Sequence, residues 1–458
     1  MEVNRLLNMK KNTSENAAQI ASAATTENTN VCFMAMSPSQ KKRAITDILN
    51  KYYIIKNNVV THRTDFRKKT AEEIALGEAL AESMEKGGTR LLPANIGQTV
   101  VDESLELRPL GKEINSMVNK ITDADITTTP EYLRNLLESD VFPSYNPLQD
   151  YFNSLPNYED GHDYIAQLAA CVKMEETEDA AFFTKMLRKW LVSIVASVME
   201  EYKCNQIVLI ICGKQGIGKS TFFANVVPEK LRKRYFTSKE IDMSNKDDQI
   251  LLSTMMVLCM DELGNMQKKS VKKFKEYLTK IDITLRQPYA HYNENYTRNC
   301  SFCGTSNDIH ILFDMTGNRR FAPFEVTDID LNALKEVDID MVYAQAMNLY
   351  RSGFQYWIEK GPEQEELERH NKKFQNFDPD VKILLDLYEP CEADDPNAKS
   401  MLANEIAHEI YNKTGHLIPS TRLAQFAKTM ESLGFKISKK CHGYTYRWVK
   451  EKPQTNAE

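Results

Sequence analysis

The chain has 458 residues, is 42% hydrophobic and carries a formal net charge of −6. That is apolar material for about two or three cored domains, and the mild acidity excludes a protein coated in basic surface, although local clusters can still serve nucleic acid. No apolar run approaches the roughly 18 residues of a membrane span, and the first residues show no secretory signal, so a soluble cytoplasmic protein with scattered, reduced thiols is expected. The lone C-x-x-C of Cys300 and Cys303 has no second pair beside it and reads as part of a buried strand rather than a zinc site.

Residues 1–40 are rich in Asn, Thr, Ser and Ala without an apolar period and are expected to be mostly unstructured. From 41 to 199 the pattern predicts a helical N-terminal domain. Ala71 to Met84 is a good helix former, Thr129-Pro130-Glu131 is a helix start, and Phe182 to Tyr202 has helical spacing. Between 200 and 345, short apolar strands alternate with charged helices, which predicts an α/β sheet. A charged connector is expected over 346–377. The last unit, 378–452, reads as helices at Val381 to Leu387, Lys399 to Asn412 and Thr421 to Leu433, then two strands around Gly443. That is a winged-helix outline, whose third helix would offer Arg422, Gln425 and Lys428 to a DNA groove; the alternative is a purely structural cap.

The chemistry concentrates in the α/β region. Val208 to Cys212 is an apolar strand that runs into Gly213-Lys-Gln-Gly-Ile-Gly-Lys-Ser-Thr221. This is the spacing of a phosphate-binding loop: backbone N–H groups from Gly213 through Gln215, Gly216, Ile217, Gly218 and Thr221 wrap a triphosphate, Lys219 neutralises it, and Ser220 ligates Mg²⁺. Met255 to Glu262 is a second apolar strand, ending in paired acids. Asp261 is placed to support the metal and Glu262 to deprotonate an attacking water. A third strand, Cys300 to Asn307, ends in an amide that can sense the γ-phosphate. Gly317 to Phe321 then supplies Arg319 and Arg320, one of them a candidate for stabilising charge on a neighbouring subunit's nucleotide and the other a structural ion-pair partner.

Two features point to nucleic acid. The lysine-rich stretch around Lys268 to Lys275 includes Lys272 and Lys273, and the following segment, 282–299, interleaves Tyr289, His291 and Tyr292 with Arg286 and Arg298, as a strand-gripping hairpin would. A second basic cluster, Lys436, Lys439, Lys440, Arg447 and Lys450, lies near the C-terminal end.

Glu200 to Val326 resembles the virulence-associated protein E (VirE/VapE-like) family of P-loop ATPases, which look like superfamily 3 helicases and poxvirus-type primase-helicases. The resemblance rests on Gly213 to Thr221, Asp261-Glu-Leu263, Lys273 to Lys275 with Arg286 to Tyr289, Gly304-Thr-Ser-Asn307 and Gly317 to Phe321. Asn146-Pro to Leu155-Pro156 resembles the family's helical lead-in. Departures are the Asp-Glu-Leu where Glu-Leu or Glu-Glu-Leu is usual, Thr297 in place of a proline, and Ala322 in place of an aromatic residue. Residues 1–140 show no paired-acid polymerase signature, so priming is not expected.

Residues and resemblance together imply a Mg²⁺-dependent, AAA+ type ATPase using ATP. It would assemble as a homo-oligomeric ring, a hexamer favoured, on single-stranded or duplex DNA and move strands during replication of a mobile genetic element. The rival is a nucleotide-gated DNA- or protein-binding regulator without unwinding activity. A kinase is disfavoured, because it would carry an arginine-bearing lid and lack the Asp-Glu strand end.

Overall fold

The computed structural model describes residues 36–85, 107–159, 161–265, 268–285, 293–312, 318–376 and 378–452. Its contacts divide the chain into two units, Met1–Asn57 with Arg63–Pro143, and Asn58–His62 with Ser144–Glu458.

The first unit is mixed rather than helical. Helix α1 (Pro38–Tyr52) opens on a capping box: Ser37 accepts from the Gln40 backbone N–H, and the Gln40 side chain answers the Ser37 N–H. Strands β1 (Tyr53–Asn58) and β2 (Arg63–Lys68) follow, then α2 (Ala71–Glu85), β3 (Arg108–Pro109), α3 (Glu113–Thr122) and α4 (Pro130–Leu137). The strands run in the order β3-β2-β1. Helices α1, α3 and α4 bury Leu49, Met117 and Leu133 against Phe66 of β2. The helical expectation missed β2 because its sequence, Arg-Thr-Asp-Phe-Arg-Lys, has no apolar alternation; Asp65 and Arg67 are nevertheless buried. The Arg67 guanidinium meets Glu73 through two hydrogen bonds of 2.8 and 2.7 Å, and this holds the Glu73 carboxyl down at about 2.

The second unit is built on one six-stranded sheet. In chain order its elements are α5 (Pro147–Asn153), α6 (Tyr164–Ala170), β4 (Val172–Met174), α7 (Ala180–Met199), β5 (Val208–Cys212), α8 (Lys219–Val226), β6 (Phe236–Ser238), α9 (Lys246–Thr254) and β7 (Val257–Met260). They continue with α10 (Lys268–Tyr277), β8 (Asp282–Leu285), β9 (Glu294–Thr297), β10 (Ser301–Ser306), β11 (Phe321–Ile329), α11 (Ile339–Arg351) and α12 (Pro362–Asn371). The strand order is β4-β11-β5-β10-β7-β6, with β4 antiparallel to β11 and every other neighbouring pair parallel. Parallel strands are covered on both faces, which explains their continuous apolar runs. Along β5, Leu209 and Ile211 enter one core while Val208, Ile210 and Cys212 enter the other, the two-residue period of a strand.

Helix α7 is buried nearly all round, as an apolar helix must be. Trp190 donates its indole N–H to the Phe302 carbonyl at 2.8 Å, and the buried Lys189 ammonium reaches the Gln355 and Trp357 carbonyls at 2.8 and 2.9 Å. The expected connector at 346–377 is instead part of this core. Leu367, Asn371 and Phe374 are buried, and the Asn371 amide donates to the Asn318 and Phe321 carbonyls. Its charged residues disguise a narrow apolar stripe.

The C-terminal region contains α13 (Pro379–Leu387), β12 (Tyr388–Pro390), β13 (Lys399–Leu402), α14 (Ala403–Thr414), α15 (Ser420–Ser432), β14 (Ile437–Cys441) and β15 (Tyr444–Glu451). Leu384, Ile406, Ile410, Phe426, Met430 and Val449 form its core. Three helices and a closing strand pair stand where the sequence placed them, but Lys399–Leu402 is a strand paired antiparallel with β15 rather than the first turn of a helix. Much of the expected basic surface is engaged internally. Buried Asp380 accepts from His416 at 2.7 Å and Arg422 at 3.2 Å, Arg447 is buried and paired with Glu431, and Lys436 and Lys450 pair with Glu392 and Asp395. No described helix is long and apolar enough to cross a membrane.

Candidate nucleotide-binding site

The site forms where the parallel strands end. Strand β5 delivers the chain into the glycine loop, and α8 begins at Lys219 with its N-terminus facing the loop. Gly213 is required by a close approach: a Cβ there would lie 2.3 Å from the Val326 carbonyl oxygen. Gly218 caps α8 at φ +92, a left-handed conformation that other residues adopt at a cost.

Lys219 is only 7% exposed, and its ammonium donates to the Gly213 and Lys214 carbonyls, both at 2.7 Å, and to Asn307 Oδ1 at 2.9 Å. Burial pulls its pKa below that of an ordinary lysine. Asp261, just past the end of β7, accepts three hydroxyl donors: Ser220 at 3.0 Å and Thr305 at 3.2 Å on Oδ1, and Ser238 at 2.7 Å on Oδ2. Glu262 is exposed and holds φ +50, an uncommon conformation for a residue with a side chain. Gln215, Lys219, Asp261, Glu262, Asn307 and Glu240 are among the residues lining a cleft of about 530 Å³. The structure thus brings Gly213 to Thr221, Asp261, Glu262 and Asn307 together. Lys219 is the one cation among the described lining residues, against three carboxylates, Glu240, Asp261 and Glu262.

Ser238, Glu240 and Thr305 were not singled out from the sequence. Thr305 lies inside the Gly-Thr-Ser-Asn motif and stands two residues before Asn307, a signal that alternation carries. Ser238 ends a three-residue strand and gives no local signal.

Arg319 and Arg320 lie elsewhere. Phe321 pairs with Val208, the first residue of β5, so both arginines stand at the opposite end of the sheet from the loop, about 15 Å away along the strand. There they line a cavity of about 360 Å³ with Lys203, Lys360, Tyr202 and Trp357; its described lining residues include four cations and no carboxylate. The Arg320 Nε is buried without a hydrogen-bond partner, and burial, followed by the charge of Arg319, lowers the guanidinium's pKa.

The nucleic-acid assignments divide. Strands β8 and β9 form the expected antiparallel hairpin, Glu294 opposite Leu285. Arg286, Tyr289 and His291 at its tip, and the Lys272 side chain, lie outside the described residues. Lys273 donates to Ser244 Oγ at 2.8 Å. Arg298 is a correction: it is fully buried and its guanidinium donates to the carbonyls of Cys300, Tyr277, Leu278 and Asn205 at 2.6–3.1 Å. It ties the end of α10 to the base of the hairpin and has no face left for a strand. Tyr296 and Arg298 share the inward face of one extended segment, which hides the arginine. Cys300 and Cys303 are both buried, and desolvation pushes their thiols up, Cys300 to about 12.

Comparison with known proteins agrees with the sequence resemblance. Residues 153–376 match the family described as the virulence-associated protein E-like domain. No curated protein matches the chain. Among solved structures, the apo form of the NrS-1 C-terminal region matches at 11% identity and a TM-score of 0.47, covering 91% of this chain and 100% of that one. Its A form matches at 12% identity and a TM-score of 0.44, covering 90% and 100%. The family match spans the loop, both acidic residues, Asn307 and the two arginines, so the chain carries a virulence-associated protein E-like domain over residues 153–376.

Proposed function

We propose that the chain is a Mg²⁺-dependent ATPase of the AAA+ type that works on DNA in the replication of a mobile element, its hydrolysis coupled to strand movement by a homo-oligomeric ring. The observation that carries this reading is the convergence of Lys219, Asn307, Ser220 and Asp261 at one cleft beneath a glycine loop. Ser220 and Asp261 place hard oxygen donors side by side, which fits Mg²⁺, and these residues would hold it. Bound Mg²⁺ neutralises charge on the β- and γ-phosphate oxygens. The loop N–H groups and Lys219 bind the phosphates, Asn307 orients the terminal one, and Glu262 takes the proton of the attacking water. The strand inserted between β5 and β7 is β10, and it is what carries Asn307 into reach of Lys219.

The cleft's shortage of cations supports a second copy as the source of Arg319 or Arg320, since neither reaches the cleft of its own chain. A head-to-tail contact of this kind closes into a ring. The burial of Arg298 and the tether on Arg422 favour one second reading, a nucleotide-gated regulator that binds DNA or protein without unwinding.

The test is the ATP hydrolysis rate of the full chain with and without single-stranded DNA, beside Glu262→Gln. Stimulation by DNA, with a loss of about 10²-fold or more in the variant, is the expected result. ATP binding with slow hydrolysis indifferent to DNA would move the assignment to the regulator.

A further inference from the structure

We propose that Ser238 and Thr305 are positioning residues that oblige Asp261 to hold its metal ion through water, and so favour Mg²⁺ over Ca²⁺. This deepens, and rests on, the ATPase reading. Strand β7 lies between β10 and β6 in the sheet. Gly304 pairs with Met260, so Thr305 falls level with Asp261; Ser238 pairs with Cys259, two residues earlier and therefore on the same face. The carboxylate is gripped from both neighbouring strands, and from α8 by Ser220.

An ionised carboxylate offers about four acceptor positions. Ser220 and Thr305 take those of Oδ1, and Ser238 takes one on Oδ2. The position left over suits a single water of a metal's shell. It does not suit bidentate ligation, which Ca²⁺ readily uses, whereas Mg²⁺ dehydrates reluctantly and keeps its waters. Thr305 lines the cleft, while Ser238 is absent from its described lining and stands behind the carboxylate, so its hydroxyl acts through Asp261 alone. Glu240, at the cleft wall, leaves this count unchanged because its contacts do not include Asp261.

The experiment is binding of a fluorescent, non-hydrolysable ATP analogue to the full chain, titrated separately with Mg²⁺ and Ca²⁺. Ser238→Thr and Ser238→Val are compared, because they differ only by hydroxyl against methyl. Binding of the analogue without metal checks that each variant folds. The valine variant is expected to need about tenfold more Mg²⁺ for half-saturation while its Ca²⁺ requirement holds or falls; the threonine variant keeps the wild-type preference. An equal Mg²⁺-to-Ca²⁺ ratio in the two variants overturns the proposal alone. Failure of the wild-type chain to bind the analogue under any condition overturns the ATPase reading and the proposal with it.

Discussion

The base of the hairpin and the far end of the sheet each hold a desolvated arginine, and their partners differ completely. Arg298 spends its guanidinium on carbonyl oxygens drawn from both sides of the hairpin base. Arg320 sits at a cavity rich in cations with its Nε unpartnered. Burial depresses both pKa values, so desolvation does not separate them. The partners do: a guanidinium satisfied on every side holds structure together, whereas one with unused donors beside other cations is prepared for an anion.

The sharpest way to break this contrast is at the far end of the sheet. Replacing Arg319 and Arg320 together with alanine is expected to lower ATP hydrolysis on the order of 10³-fold with little change in melting temperature. Mixing that variant with Lys219→Ala should restore part of the activity, since each chain then supplies what the other lacks. A mixture as inactive as its components would remove the assignment across subunits. At the hairpin base, Arg298→Leu should destabilise the fold by about 3 kcal/mol, because it strands several buried carbonyls. Thermal unfolding checks this, and a variant with wild-type melting but weakened DNA binding would return Arg298 to the nucleic-acid surface.

The smallest effect concerns a third arginine, Arg67, which has a carboxylate partner. The Glu73 carboxyl is held at about 2, below the ordinary 4.5, by its hydrogen bonds to Arg67. A depressed folded-state value means that the ion pair stabilises above pH 4.5 and loses that contribution as pH falls towards 2. Solvent screening keeps the effect under about 1 kcal/mol. Unfolding of the first unit followed between pH 6 and about 3 should therefore be flatter in Glu73→Gln than in the wild type; equal slopes would show that the pair contributes nothing there.

What the sequence disclosed follows from how each residue is positioned. Lys219, Ser220, Asp261 and Asn307 stand at or just past the ends of apolar strands, and a strand end in a parallel sheet faces the ligand cleft, so short motifs were sufficient. Ser238 and Thr305 act on Asp261 only because β6 and β10 flank β7, a neighbourhood set by the strand order and invisible along the chain. Strand β2 and helix α12 were misread for a common reason. Their buried residues are flanked by charges that pair internally or face water, so the apolar pattern is sparse where the burial is real. The internal ion pairs of the C-terminal region likewise turn an apparent basic cluster into a largely neutralised surface.

The chain contains 3 tryptophans, and they report on different places. Trp190 is sealed in the core and bonded to the Phe302 carbonyl, and Trp448 is half-buried in β15. Trp357, 56% exposed, stands on the wall of the cavity that holds Arg319 and Arg320. An indole in that position is a native optical probe: when the cavity fills, its emission moves to the blue while the signal from Trp190 stays fixed. Filling of the cation-rich end of the sheet can thus be followed by light, in the unlabelled protein and in real time.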